Sequence, residues 1–227
     1  MVSAKPREFH PAFEEYCEAI WELNEDDISV IQARIAERLE VSRPAVSEMI
    51  RRMEQEKLIT VDDTIALTPN GVELAERVVR RHRLAERFLT DILGLPWADA
   101  HEEAGKWEHI ISEAVEGALI RVLGEPTTCP HGNPIPGAGY QMPNVRPLSE
   151  VKVGDTFTIN RIPEELEFTP GLLDYLEENE LLPGNSGVLH SLSPAGTATV
   201  EVLGRHVGLE AFTADRILVL AGPDKAA

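Results

Sequence analysis

The stretch from Ile31 to Thr68, IQARIAERLEVSRPAVSEMIRRMEQEKLITVDDTIALT, decides how the N-terminal third of the chain folds. Ile31, Ile35, Ala36 and Leu39 recur at helical spacing and turn one apolar face inward over a short helix from Ile31 to Leu39. Glu40 and Val41 break that helix. Ser42 then offers an N-cap oxygen and Pro44 sits in the first turn of a second helix, Ala45 to Glu56, with Val46, Ile50 and Met53 inward. Two short helices joined by a tight turn make a helix-turn-helix, whose second helix enters a DNA major groove N-terminal end first. Ser42, Arg43, Pro44, Ser47 and Glu48 are therefore placed to meet bases or nearby phosphates. Gln32 and Arg34 join them from the first helix, and Arg51 and Arg52 are placed for the phosphate backbone. Leu58 to Val61 and Ile65 to Thr68 read as the two strands of a hairpin around Asp62-Asp63, closed by Pro69-Asn70-Gly71, which completes a winged helix.

Charge argues both ways. The 227-residue chain carries a formal net charge of -18, unfavourable for a partner made of phosphates. Between Arg34 and Lys57, however, basic residues at 34, 38, 43, 51, 52 and 57 outnumber acidic ones at 37, 40, 48, 54 and 56, so this segment is close to neutral inside an acidic protein. The surplus carboxylates elsewhere are available to a cation. An apolar content of 43% suits ordinary globular packing. The sequence holds neither an apolar run of about eighteen residues nor a basic stretch followed by an apolar core, so no membrane span is expected and the cytoplasm is the expected location. Cys17 and Cys129 lie far apart and form no Cys-x-x-Cys pair, which argues against a disulfide scaffold or a zinc ribbon.

Upstream, the opening residues read as an irregular start. Phe13 to Leu23 follows as a helix with Phe13, Tyr16, Cys17, Ile20, Trp21 and Leu23 on its apolar side and Glu14, Glu15, Glu18 and Glu22 opposite. Downstream, a long arginine-rich helix is expected from Val72 to Leu93, with His82 and Glu86 one turn apart, stopped by Gly94-Leu95-Pro96. A second long helix, Asp99 to about Leu123, places His101, Gly105, Glu108 and His109 on one polar edge. Ala104, Trp107, Ile111, Ala114, Val115, Ala118, Leu119 and Val122 form its apolar stripes. That edge is either a solvated face or a set of metal-type ligands. Two helices joined by a short loop run antiparallel, which brings His82 and Glu86 toward His101 and favours the ligands. A His-Glu-x-x-His protease motif would need histidine at 105, and no nucleophile with a base beside it is evident, so an enzyme is not expected. After a proline-containing linker, Met142 to Leu148, short alternating segments at Thr156–Ile162, Gly187–Leu192, Thr197–Val202 and Arg216–Leu220 surround a helix at Leu172–Glu180, the pattern of a small barrel.

Four motifs resemble the diphtheria-toxin-repressor family of metal-activated transcriptional repressors: ARIAERLEVSRPAVSEMIRRME (Ala33 to Glu54), HRLAERFLTDILGL (His82 to Leu95), HEEAGKWEH (His101 to His109) and PTTCPHGNPIPG (Pro126 to Gly137). The resemblance implies a mainly α protein with a small β part. Residues 1–75 would be a winged helix-turn-helix, 76–141 a helical metal-binding and dimerisation domain, and 149–227 an SH3-like β-barrel. It implies a homodimer that binds an inverted-repeat DNA operator when Mn(II) or Fe(II) is loaded, with manganese favoured. Carried over by position, an ancillary metal site would use His82, Glu86 and His101, completed by Glu164 and Glu167 from the C-terminal domain. A primary site would use Glu15, Glu18, Glu108 and His109. The chain departs from the family at Gly105, where a cysteine or glutamate ligand is usual, and Cys129 is the residue expected to fill that gap. The alternatives are a metal-independent winged-helix regulator with a vestigial site and a metal-dependent hydrolase.

Overall fold

The computed structural model describes residues 11–221, and the irregular start expected over the first ten residues lies outside them. Helix α1 (Pro11–Glu25) packs its Phe13, Tyr16, Cys17, Ile20 and Leu23 into an N-terminal core. The same core takes Ile35 from α2 (Gln32–Arg38), Val46, Ile50 and Met53 from α3 (Arg43–Gln55), and Ile59 and Ile65 from the antiparallel hairpin β1 (Ile59–Val61) and β2 (Ile65–Leu67). Ser42 caps α3 as expected, its Oγ accepting from the Ala45 amide at 3.4 Å with Pro44 just inside the helix. Ile31 departs from expectation. It is 41% exposed, because it stands at the N-cap of α2 rather than on its inward face.

Pro69-Asn70-Gly71 does not close the hairpin. It opens α4 (Pro69–Arg87), with the Thr68 hydroxyl accepting from the Gly71 amide and donating to the Lys57 carbonyl. Proline lacks the amide that an N-terminal turn leaves unpaired, so the same tripeptide serves a helix start as well as a turn. Helix α4 widens into a π-helical turn at Phe88–Ile92 before the loop to α5 (Trp97–Trp107). The single helix expected from Asp99 to Leu123 is two, because Ser112 caps a new helix, α6 (Glu113–Val122), by accepting from the Val115 amide. Glu108 and His109 therefore sit where the chain leaves α5. Of the expected apolar stripe, Ala104, Ile111 and Leu119 are buried in a middle core with Leu84, Ala85 and Leu89, whereas Ala114, Val115 and Val122 are exposed.

In the C-terminal module, β3 (Arg146–Pro147), β4 (Thr156–Arg161), β5 (Ser186–Leu192), β6 (Ala198–Val202), β7 (Arg205–Leu209) and β8 (Leu218–Ala221) form an antiparallel sheet in the order β3-β8-β4-β5-β6-β7. Short helices α7 (Glu164–Glu167), α8 (Leu172–Glu178) and α9 (Ala211–Arg216) complete it. The strand expected at Arg216 begins two residues later because α9 occupies that position. Alternate residues of the sheet, among them Phe157, Ile159, Leu189, Val200, Val202 and Val207, line its core, and Trp97 at the start of α5 joins them. The Trp97 amide donates to Glu177 Oε2 at 2.9 Å, so the middle helices are anchored in this module.

Candidate metal centre and nucleic-acid interface

Helices α4 and α5 run side by side and bring the expected ancillary triad together. His101 Nδ1 is 2.9 Å from Glu86 Oε1 and 3.3 Å from His82 Nε2, and His82 Nε2 is 3.2 Å from the same Glu86 oxygen. These separations approach the roughly 3.4 Å edge of a tetrahedron built on ~2.1 Å metal–ligand distances. Helix α7 contributes the expected C-terminal carboxylates. Glu167 Oε2 lies 3.1 Å from His101 Nδ1, and a ligand oxygen of Glu164 belongs to the same group. Glu164 is also paired with Arg83, whose Nη2 donates to it at 2.9 Å.

The expected primary residues assemble between α1 and the end of α5. Glu108 Oε1 is 3.2 Å from His109 Nε2, Glu15 Oε1 is 3.9 Å from the same nitrogen, and a Glu18 oxygen groups with Glu108 and His82. Glu108 belongs to both assemblies, because its other oxygen lies 2.6 Å from His82 Nδ1. Glu14, which sequence reasoning left out, holds the far side of the His109 ring at 2.8 Å and is itself held by Arg77 at 3.2 Å. This carboxylate–imidazole pairing fixes which ring nitrogen faces the site.

Cys129 is not where it was expected. It is fully buried with Glu86 and His131, their ligand atoms within 4.8 Å of one another. The reason is the docking of its turn. The Cys129 amide donates to the Asn133 carbonyl, Asn133 Nδ2 donates to Ile162 O and to Glu167 Oε1, and Gly132, at φ +90, comes so close to β4 that a Cβ would lie 2.3 Å from Asn160 O. The whole loop is thereby committed to the α7 side of α4. A Cβ at Gly105 would meet nothing within 4 Å, and this residue opens onto a cavity of about 370 Å³ shared with Glu15, Glu18, His82 and Glu108. His131, with Nδ1 2.9 Å from Glu167 Oε2, was missed by sequence reasoning, although its position two residues after Cys129 was the available signal.

Without a metal, the electrostatics of these groups favour bound protons. Burial disfavours the imidazolium of His82, but Glu86 and Glu108 more than offset it and hold its pKa well above the usual histidine range. For His101 the same burial penalty is outweighed by Glu167 and Glu86, raising it to about 10. Burial, together with the charges of Glu108 and Glu22, pushes Glu18 well above the ordinary carboxylate range. Burial also pushes Glu164 up, assisted by Glu167 and Glu22, and drives the Cys129 thiol upward with Glu86 and Glu167 adding to the effect. Several buried atoms have no hydrogen-bond partner: Glu18 Oε1, Glu86 Oε2, Glu164 Oε2 and His131 Nε2. Such unpaired buried ligand-type atoms fit a divalent cation, which would satisfy them together and take the place of the protons.

At the opposite end of the N-terminal module, Ser42, Arg43 and Pro44 are exposed at the start of α3, and Glu48, Arg51 and Arg52 are exposed along it. Ser47 is half-buried and donates to Gln32 Oε1 at 2.8 Å, which ties the exposed start of α2 to the recognition helix. Arg34 is exposed and paired with Glu37, while the Arg52 guanidinium lies 5.3 Å over the Phe13 ring.

Three family descriptions match successive parts of the chain: the iron-dependent repressor N-terminal DNA-binding domain at residues 8–65, the iron-dependent repressor metal-binding and dimerisation domain at 68–137, and the FeoA domain at 146–221. The iron-dependent repressor IdeR of Mycobacterium tuberculosis is 39% identical over 204 residues, covering 84% of this chain and 88% of that protein. The diphtheria toxin repressor of Corynebacterium diphtheriae is 49% identical over 126 residues, 55% of this chain and 56% of that one. Among solved structures, a manganese-dependent transcriptional repressor in complex with manganese superposes with a TM-score of 0.83 at 32% identity, covering 92% of this chain and 99% of that one. IdeR of T. acidophilum superposes at 0.74 with 27% identity, covering 97% and 100%.

Proposed function

Because the chain belongs to the iron-dependent repressor family of metal-dependent transcriptional repressors, a family of regulators rather than enzymes, we propose that it is a cytoplasmic, metal-activated homodimer that binds an inverted-repeat operator. In this reading residues 1–75 read DNA, 76–141 hold metal and dimerise, and 149–227 support the metal centre. Ser42, Arg43, Pro44, Ser47 and Glu48 face bases, with Gln32, Arg34, Arg51 and Arg52 around them.

The observation that carries the proposal is that Glu108 touches both histidines, His82 and His109, and so links two ligand clusters built from α1, α4, α5 and α7. Glu15, Glu18, Glu108 and His109 hold one ion. His82, Glu86, His101, Glu164 and Glu167 hold another, with Cys129 and His131 beside Glu86. A divalent metal supplies the positive charge that these facing carboxylates lack. Ordered in this way, Glu15 and Glu18 fix α1 to the end of α5, and with α1 the core that carries α3. Two recognition helices must stand about 34 Å apart to enter successive major-groove faces, so restricting the orientation of α3 raises the fraction of dimers competent to bind. Exposed Ile92, Leu93, Ile110, Val115 and Val122 on the middle module offer the apolar face for the second copy. With Cys129 on the other cluster, the Glu15, Glu18, Glu108 and His109 set is all oxygen and nitrogen, which favours Mn(II) over Fe(II) as the activating ion.

The test is a DNA-binding titration at fixed salt with Mn(II), Fe(II), Zn(II) or a chelator. Tight binding with Mn(II) and its loss on chelation are expected; equal binding with chelator would overturn the proposal.

A further inference from the structure

A third group of ligand-type side chains stands on the outer face of the C-terminal sheet and shares no residue with the buried clusters. Val200 and Val202 of β6 and Val207 of β7 point into the core, so Glu201 and His206 project from the opposite face, and they are direct cross-strand partners. On β5 the register with β6 shifts between Leu189 and Ser191, and His190 is the residue at that shift. A bulge of this kind re-aims a side chain. Here it turns His190 toward Glu201, whose Oε2 lies 2.7 Å from His190 Nε2 and 3.8 Å from His206 Nε2. The two imidazole centroids are 4.7 Å apart, and one ligand atom from each of the three residues falls within 4.8 Å of the others.

We propose that His190, Glu201 and His206 form a surface binding site for a borderline first-row divalent ion of the Zn(II), Ni(II) or Co(II) type, which pins strand β7 to β5 and β6. Two imidazoles and one carboxylate are the donor set those ions prefer, in contrast to the carboxylate-rich group around Glu15 and Glu18. Two imidazolium rings at this separation would repel each other, whereas two neutral rings direct lone pairs at one point beside the Glu201 oxygen. The side chains of His190, Glu201 and His206 are 42%, 38% and 61% exposed, which leaves the remaining coordination positions to water and makes this site weaker than a buried one. Its mechanical consequence follows from strand order. Among the described strands β7 stands at one edge of the sheet and is paired with β6 alone, so an ion held by three successive strands secures that edge.

The test compares the full chain with a His190→Gln/His206→Gln variant by equilibrium dialysis against Zn(II). The variant is expected to bind one equivalent less per chain while retaining Mn(II)-dependent DNA binding, since it leaves the buried ligands untouched. Hydrogen exchange supplies a second readout: Zn(II) should slow exchange of the β7 amides in the native chain and not in the variant. Equal stoichiometry in the two proteins, or β7 exchange indifferent to Zn(II), would overturn the proposal.

Discussion

In the proposed function two ion positions depend on Glu108, which has one oxygen 2.6 Å from His82 Nδ1 and the other 3.2 Å from His109 Nε2. Glu108→Gln removes a ligand from the first position and the partner that orients His82 at the second. Losing an orienting partner alone typically weakens metal affinity by about 10- to 100-fold. Calorimetric titration with Mn(II) should therefore show both affinities reduced. Glu14→Gln, which touches His109 but neither His82 nor Glu86, should weaken only the His109 position by a similar factor. Proton traffic gives a second expectation at this scale. The folded-state pKa of His101 is raised from 6.5 to about 10, and that of His82 is raised as well, so in metal-free protein both rings carry protons at neutral pH. The stability they contribute is fully present below 6.5 and is lost as pH rises through the folded-state value, about 10 for His101. Metal affinity runs the other way, because an imidazole must shed its proton to bind an ion. Metal-free protein should thus melt lower, and bind metal more tightly, as pH climbs from neutrality. Titrations in two buffers of different ionisation enthalpy should reveal proton release; enthalpies independent of buffer would count against this.

At the scale of elements, Gly71 shows how closely the wing and α4 are fitted. A Cβ there would lie 2.0 Å from the Leu58 carbonyl oxygen, a backbone atom with no rotamer to escape into. Gly71→Ala should cost about 1–3 kcal/mol, the usual range for overpacking, seen as a lower urea midpoint with an unchanged slope. The same junction shows where sequence reading stops. The apolar periodicities of α1, α3 and α4 were legible because each helix buries a face. The triad of His82, Glu86 and His101 was legible because helical spacing and an antiparallel turn suffice to bring it together. Pro69-Asn70-Gly71 fits a turn and a helix start equally well, and the choice is made by Thr68, which donates to the Lys57 carbonyl across the hairpin. The break after Glu108 depends on the Ser112 cap, one serine in an otherwise continuous helical pattern. Cys129 was placed wrongly because its loop is positioned by Asn133 and Gly132 against β4 and α7, contacts some thirty residues away with no periodicity to announce them.

Across the whole molecule, the three modules are joined by charges buried together near the proposed metal centre. Arg83 of α4 is fully buried, donating from Nη2 to Glu25 Oε2 at 2.6 Å and to Glu164 Oε1 at 2.9 Å. Arg161 of β4 reaches Asp26 at 2.5 Å and Glu25 at 3.1 Å, and Asp26 also accepts from the Glu165 amide at 2.9 Å. The end of α1 thus meets the same short segment that carries Glu164 and Glu167, so in the proposed function docking of the C-terminal module and filling of that site are one event seen from two sides. Breaking a buried pair by removing one partner costs about 3–5 kcal/mol, since the other charge is left without compensation. In Arg161→Ala that charge is Asp26, and the cheapest relief is for the C-terminal module to swing away and let water reach it. The variant should be cut faster by protease in the part of the linker that precedes β3, residues 142–145, and should lose the ion held by His82, Glu86 and His101, whose Glu167 departs with the module. The ion at Glu15, Glu18, Glu108 and His109 should remain, and with it a weakened Mn(II)-dependent DNA binding. Limited proteolysis and metal counted per chain decide the matter: unchanged cleavage with unchanged stoichiometry would show that the buried pairs do not couple the modules to the metal.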